Sequence, residues 1–211
     1  MNRREFLTLC GGLMMATELN AMPKLTADGA NAVDKKFDNL KLNIRQLKID
    51  VGATKPFGAL HVSDSHMTRA DERDGERKMN LAAGRYKVFP LAEHYFDLQI
   101  RYALAKGLMM IHTGDMIDFV SERNHAFIRS QLRVGQWVAS TGNHEYSLYV
   151  GEAKEDEAYK AQSRDKLQKA YGDVCNVTFN SKVINGVNFV SVDDVYYNFT
   201  REQLELFKRE V

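Results

Sequence analysis

Histidine is missing from the C-terminal part of this 211-residue chain: all six imidazoles lie at or before His144, so nothing downstream can supply one. Cysteine is scarcer still, with only Cys10 and Cys175. Once the N-terminal segment is removed, Cys175 is a lone thiol, which excludes an internal disulfide. No motif surrounds it in Asp173-Val174-Cys175-Asn176-Val177, and it reads as a small packed residue ahead of a strand. Neither sign of charge is in surplus: 29 Lys and Arg against 28 Asp and Glu leave a formal +1, no footprint for nucleic acid or an anionic membrane. No apolar run approaches the about 20 residues that span a bilayer, and there is no internal repeat or low-complexity tract. What remains is 44% hydrophobic content over a length suited to one sizeable core, the composition of an ordinary α/β protein.

Residues 1–21 read as a signal peptide. Asn2-Arg3-Arg4-Glu5-Phe6-Leu7-Thr8 is a charged start, a short apolar stretch over 9–16 contains Gly11-Gly12, and Leu19-Asn20-Ala21 offers a small residue at a cleavage point. Paired arginines ahead of Phe6-Leu7 resemble a twin-arginine signal, which implies the twin-arginine export machinery as a partner and a periplasmic or extracellular destination. The competing reading is an ordinary amphipathic helix of a cytoplasmic protein. Residues 22–39 are polar and mixed and read as a linker, leaving 40–211 as the domain.

Within that domain, apolar strand-like runs at 57–62, 108–111 and 137–139 alternate with two helical patterns. The first, over 91–106, carries Tyr95, Phe96, Leu98, Ile100 and Ala103 and ends at Gly107; the second starts at Ser121 with Phe127, Ile128 and Leu132 as its apolar side. Strand, helix, strand, helix, strand predicts parallel crossover units. Leu40, Leu42 and Ile44, then Leu47, Ile49 and Val51, alternate with polar residues and predict two short strands covering a sheet edge. The charged segment 69–78 has no apolar face and predicts a mobile loop, while 152–171 predicts a helix with a solvated face. Asn185-Gly186 between apolar runs is a hairpin signal, and Thr200 with Gln203 forms a capping box for a last helix.

Directly after the three strand-like runs stand Asp64-Ser65-His66, Gly114-Asp115-Met116-Ile117-Asp118 and Gly142-Asn143-His144-Glu145. Singly, each has a bland reading as a turn or a helix cap. Together, each at the end of a parallel strand, they fall where open α/β sheets build their sites. Carboxylate, imidazole and amide oxygen suit a hard or borderline divalent ion. His61 and His112 also sit in strands but out of phase with Asp64 and Asp115, so they read as packed or hydrogen-bonded residues; His94 and His125 lie on predicted helices as surface or packing residues.

The order and spacing of the three motifs resemble the calcineurin-like metallophosphoesterases, whose pattern is D-x-H, G-D-x-x-D, G-N-H-E/D, then a lone His and finally G-H-x-H. Here the last two blocks are missing. The resemblance covers about residues 57–207, tightly at the motifs and loosely between them. It implies the N-terminal part of a four-layer αββα sandwich, truncated, with two divalent ions (Mn, Fe or Zn) in the complete domain and a small phosphate-ester substrate. Asp64 and His66 would bind the first ion, Asp115 would bridge both, and Asn143 would bind the second. His144 would act as the catalytic proton donor or phosphate stabiliser. Asp118 and Glu145 would orient those groups from behind. Purple acid phosphatases, a related branch, have Tyr as a metal ligand where this chain has Asp118.

Two functions follow as expectations. The first is hydrolysis of a phosphomonoester or phosphodiester, inactive as this fragment because imidazoles are missing. The second is a non-catalytic remnant or a metal-binding module. Arg69, Arg73, Arg77 and Arg85 are placed to steer a phosphate, although arginines in charged loops are usually solvated.

Overall fold

The computed structural model describes residues 41–152 and 156–210; the expected signal segment 1–21 and linker 22–39 lie outside them. Three short strands, β1 (Ala59–Val62), β2 (Met109–Thr113) and β3 (Trp137–Ser140), pair in that order, and both pairs are parallel. Parallel neighbours need a crossover rather than a tight turn. Helices α1 (Gly75–Tyr86) and α2 (Ala92–Lys106) join β1 to β2, and α3 (Glu122–Gln131) joins β2 to β3. Then come α4 (Glu157–Tyr171), the antiparallel hairpin β4 (Phe179–Ile184) and β5 (Val187–Val192), and α5 (Arg201–Glu210). The protein is thus mixed α/β with a parallel sheet.

Alternation along the strands divides the core. Met110, Trp137 and Ala139 join Phe96, Ile100, Phe127, Ile128 and Leu167 from the helices in one buried cluster. Their neighbours Met109 and Val138 face the other way, against Ile184 of the hairpin. The hairpin also closes the outer edge of β3. Ser191 Oγ donates to the Ala139 carbonyl at 3.1 Å and Lys182 Nζ to the Trp137 carbonyl at 3.1 Å, so an edge that would invite pairing is covered by side chains. The Cys175 thiol, buried among these groups, packs against the same Ala139 carbonyl.

Local signals account for the joins. Asn185 and Gly186 have φ of 51° and 80°, the doubly positive turn whose twist matches a two-residue hairpin. Gln203 N–H donates to Thr200 Oγ1 at 3.1 Å while Thr200 N–H donates to Gln203 Oε1 at 2.7 Å, a complete capping box. Among the described residues no helix is long and apolar enough to cross a membrane.

Two expectations are corrected. Residues 42–51 form no strand, and Leu47, Ile49 and Val51 are exposed. The alternation is there, but among the described residues no neighbouring strand offers a ladder. Nor is 69–78 a loop throughout: a 3-10 turn covers Glu72–Asp74 and α1 begins at Gly75. Its acids supply the reason. Asp71 caps the turn, and Asp74 carboxylate oxygens accept the Glu122 N–H at 2.6 Å and the Arg123 N–H at 3.3 Å, neutralising the free end of α3 as well.

Candidate metal centre

Because the three strands are parallel and adjacent, the loops leaving their C-terminal ends are brought side by side. Asp64 N–H donates to the Gly114 carbonyl at 3.1 Å, His66 N–H to the Asp115 carbonyl at 2.9 Å and Met67 N–H to the Met116 carbonyl at 3.0 Å. The first two loops therefore run as a continued parallel ladder. Asp64, His66 and Asp115 all have left-handed backbones, with φ of 56°, 46° and 56°. Each such residue costs about 1–2 kcal/mol relative to a relaxed backbone, and three together mark a segment held by its surroundings.

Glu145 does much of that holding. Fully buried, its carboxylate accepts the N–H groups of Asp115 (2.8 Å), Met116 (2.6 Å), Ile117 (3.2 Å) and Gly142 (2.7 Å), which ties the second loop to the third. Burial and the nearby Asp115 charge push its carboxyl up to about 7 despite these donors. The loops also touch through glycines. A Cβ on Gly114 would lie 2.6 Å from the Gly142 nitrogen, and one on Gly142 would lie 2.8 Å from the Asp115 nitrogen and collide with the Asp115 carboxylate.

The side chains gathered by this scaffold are donors. One ligating atom from each of His66, Asp115 and His144 lies within 4.8 Å of the other two. His66 Nε2 is 3.9 Å from Asp64 Oδ1 and 4.0 Å from Asp115 Oδ2. Atoms bound to one cation at about 2.0–2.2 Å stand about 3–4.4 Å apart, so among the described residues His66, Asp115 and His144 are the group that could close on a single divalent ion, with Asp64 beside His66. Asp64 is the open side of the group, its side chain 63% exposed. Asp115 Oδ1 also accepts the His144 backbone N–H at 3.0 Å, and Asn143, the residue before, accepts Ser147 Oγ at its backbone carbonyl at 3.1 Å.

Asp118 lies fully buried beneath. Its Oδ1 is 3.0 Å from His66 Nδ1 and 3.2 Å from His144 Nδ1, and its carbonyl is 2.8 Å from the same His144 atom. Engaging both Nδ1 atoms leaves both Nε2 atoms for other chemistry. Arg85 closes the network, donating from Nε to Asp118 Oδ2 at 2.6 Å and from Nη2 to Oδ1 at 2.9 Å. Burial alone would raise the Asp118 carboxyl, but the hydrogen bonds from Arg85, His144 and His66 hold it well below the usual carboxylate range. Burial would likewise lower His144, yet its bonds to Asp118 and the charge of Asp115 lift its imidazole to about 9.

Sequence reasoning placed Asp118 and Glu145 behind the donors but did not separate their tasks. Asp118 aligns two imidazoles, whereas Glu145 aligns backbone. It missed Phe89, whose ring stacks on His66 with centroids 4.7 Å apart and planes 4° from parallel. It also treated four arginines alike. Arg85 is committed to Asp118, Arg69 to Glu93 at 2.6 Å and Arg73 to Asp71 at 2.7 Å, and Arg77 lies over the Tyr149 ring at 3.7 Å. Helical spacing of Arg85 and Phe89, one turn apart just past Gly84, is the signal that would have found the pair.

The remaining histidines stand apart from the donors. His112 is buried, with Nε2 2.9 Å from Ser65 Oγ, and burial pushes it down to about 3. His61 Nε2 is 2.9 Å from Thr113 Oγ1. His125 is buried on α3 and pushed down by that burial to about 4, and His94 lies on α2. No protein-family model matches this chain, and no curated protein or solved structure does either.

Proposed function

We propose that this protein is a metal-dependent phosphoesterase of the calcineurin-like kind, acting on a small phosphomonoester or phosphodiester. The observation that carries the reading is the convergence of His66, Asp115 and His144 at the ends of three adjacent parallel strands, each with a ligating atom within 4.8 Å of the other two, and with Asp64 Oδ1 3.9 Å from His66 Nε2. Asp64, His66 and Asp115 would hold one divalent ion, and Asp115 with Asn143 would hold a second. Bound divalent ions supply Lewis acidity toward a phosphoryl oxygen and activate water for attack. The chain's own groups do the rest. Asp118 fixes His66 and His144 through Nδ1, and His144 would deliver a proton from Nε2 to the leaving oxygen, worth about 10²–10⁴ in rate. Helices on one face of the sheet and a hairpin on the other support assignment to the αββα sandwich.

A second reading, a metal-binding module without turnover, is favoured by the donor cluster itself: among the described residues it is one group, His66, Asp115 and His144, which is the ligand set of a single ion. Metal analysis beside hydrolysis of aryl phosphates of graded leaving-group acidity separates the two. The first reading expects slow, manganese-dependent turnover. Asp115→Asn loses metal and turnover together; His144→Asn keeps the metal and slows poor leaving groups most. Metal bound with no turnover selects the module, and no metal bound rejects both.

We also propose export through the twin-arginine route. Replacing Arg3 and Arg4 by Lys removes guanidinium geometry that ammonium does not reproduce, so the double variant stays in the cytoplasm on fractionation. Unchanged delivery to the periplasm rejects the signal.

A further inference from the structure

A cavity of about 340 Å³ opens directly beside the donor cluster. Ser63, Asp64 and Ser65 form one wall, so the loop that carries a candidate ligand also bounds the cavity. The opposite wall is the turn between α1 and α2, chiefly Val88, Phe89, Pro90 and Leu91, and Tyr95 and Gln99 of α2 complete it. Phe89 belongs to both places, stacked on His66 and lining the cavity. Val88, a large apolar side chain, is 58% exposed at this turn.

The composition of the lining selects an occupant. Asp64 is its one charged residue, and neither Lys nor Arg borders it. A second phosphate, or the backbone of a nucleic acid, would enter with no cation to meet it and a carboxylate at its side. An apolar wall with a few neutral polar groups, Tyr95 and Gln99 on one side and Ser63 and Ser65 on the other, is instead the pattern of a pocket for a small organic group. Its volume is at the low end for such pockets, about 300–1,000 Å³, enough for one ring and its substituents. We propose that this cavity takes the alcohol portion of the substrate, and that the substrate is an ester of phosphate with a compact, uncharged, aromatic or apolar alcohol. Phe89 and Val88 are its specificity-determining residues.

The proposal rests on the phosphoesterase reading, and phosphonates that cannot be hydrolysed test the two separately. Phenylphosphonate and methylphosphonate share the anion and differ only in the group offered to the cavity. Calorimetric titrations use the full chain with manganese and, in parallel, with EDTA. With manganese, phenylphosphonate binds at least about tenfold tighter than methylphosphonate, the return on burying much of a ring. Phe89→Ala and the surface variant Val88→Ser each bring the ratio toward one, and Val88→Ser leaves the melting temperature unchanged. Equal, metal-dependent binding of both ligands by the wild type overturns the cavity assignment and leaves the metal reading standing. A preference for phenyl that persists in EDTA and is lost in both variants supports the cavity while rejecting the metal reading. A preference that survives both variants, or no binding of either ligand, overturns the proposal.

Discussion

Asp118 is the residue on which the site's electrostatics turn. A fully buried carboxylate is normally a liability, but here three cationic or polarised partners surround it, and its charge in turn keeps His144 protonated. Asp118→Asn removes that charge and keeps the shape. In the metal-free protein the His144 imidazole therefore falls from about 9 toward the ordinary value near 6.5, read by NMR titration of its ring protons. Arg85 is left without its carboxylate, and stability drops by about 3–5 kcal/mol, the usual cost of breaking a buried pair from one side. An imidazole still near 9 in the variant would assign the shift to Asp115 instead. That His66, Asp115 and His144 come together was legible in the sequence because each motif follows within a few residues of the end of its strand. Phe89 and Arg85 were not, because they reach the site from the last turn of α1 and the bend after it, and no strand-end offset announces such an approach.

Among the elements, the loops after β2 and β3 depend on each other through Gly114 and Gly142. Gly142→Ala forces its methyl into the Asp115 carboxylate and backbone nitrogen, so the second loop must shift. A change of this kind costs about 1–3 kcal/mol, and because it moves Asp115 it weakens metal binding more than its stability cost suggests. Thermal melts and a manganese titration of the one variant give both quantities; unaltered metal affinity would show that the loops yield independently. The strands from 57 onward and the helices other than α1 were readable because apolar period and pairing agree there. Residues 42–51 carry the same alternation without a partner strand, and pairing, which is tertiary, prevailed over pattern. The opposite failure occurred at 69–78. Its charges suggested solvent, yet Asp71 and Asp74 are spent on helix N-termini, a use that depends on where α3 starts in space.

Taken as a whole, the folded molecule holds several groups away from their ordinary protonation, and their signs set a pH optimum for stability. His112 and His125 are depressed to about 3 and about 4, so the stability tied to their neutral forms is complete above about 6.5 and is lost as pH falls toward those values. Glu145, raised to about 7, opposes them between about 4.5 and 7, one group against two. His144, raised to about 9, contributes fully below about 6.5 and loses its contribution as pH rises through 9. Melting temperature in EDTA therefore peaks near pH 6.5 and declines on both sides, with the acid limb flattened in His125→Gln. A steady rise from pH 5 to 8 would contradict these assignments.

The most direct test of the central claim, that the three strand-end loops together form a divalent-cation site, is calorimetric titration of manganese into the wild type and Asp115→Asn. Binding should be saturable in the wild type and absent in the variant, with the variant still melting cooperatively. No binding by the wild type, or equal binding by a folded Asp115→Asn protein, would contradict it.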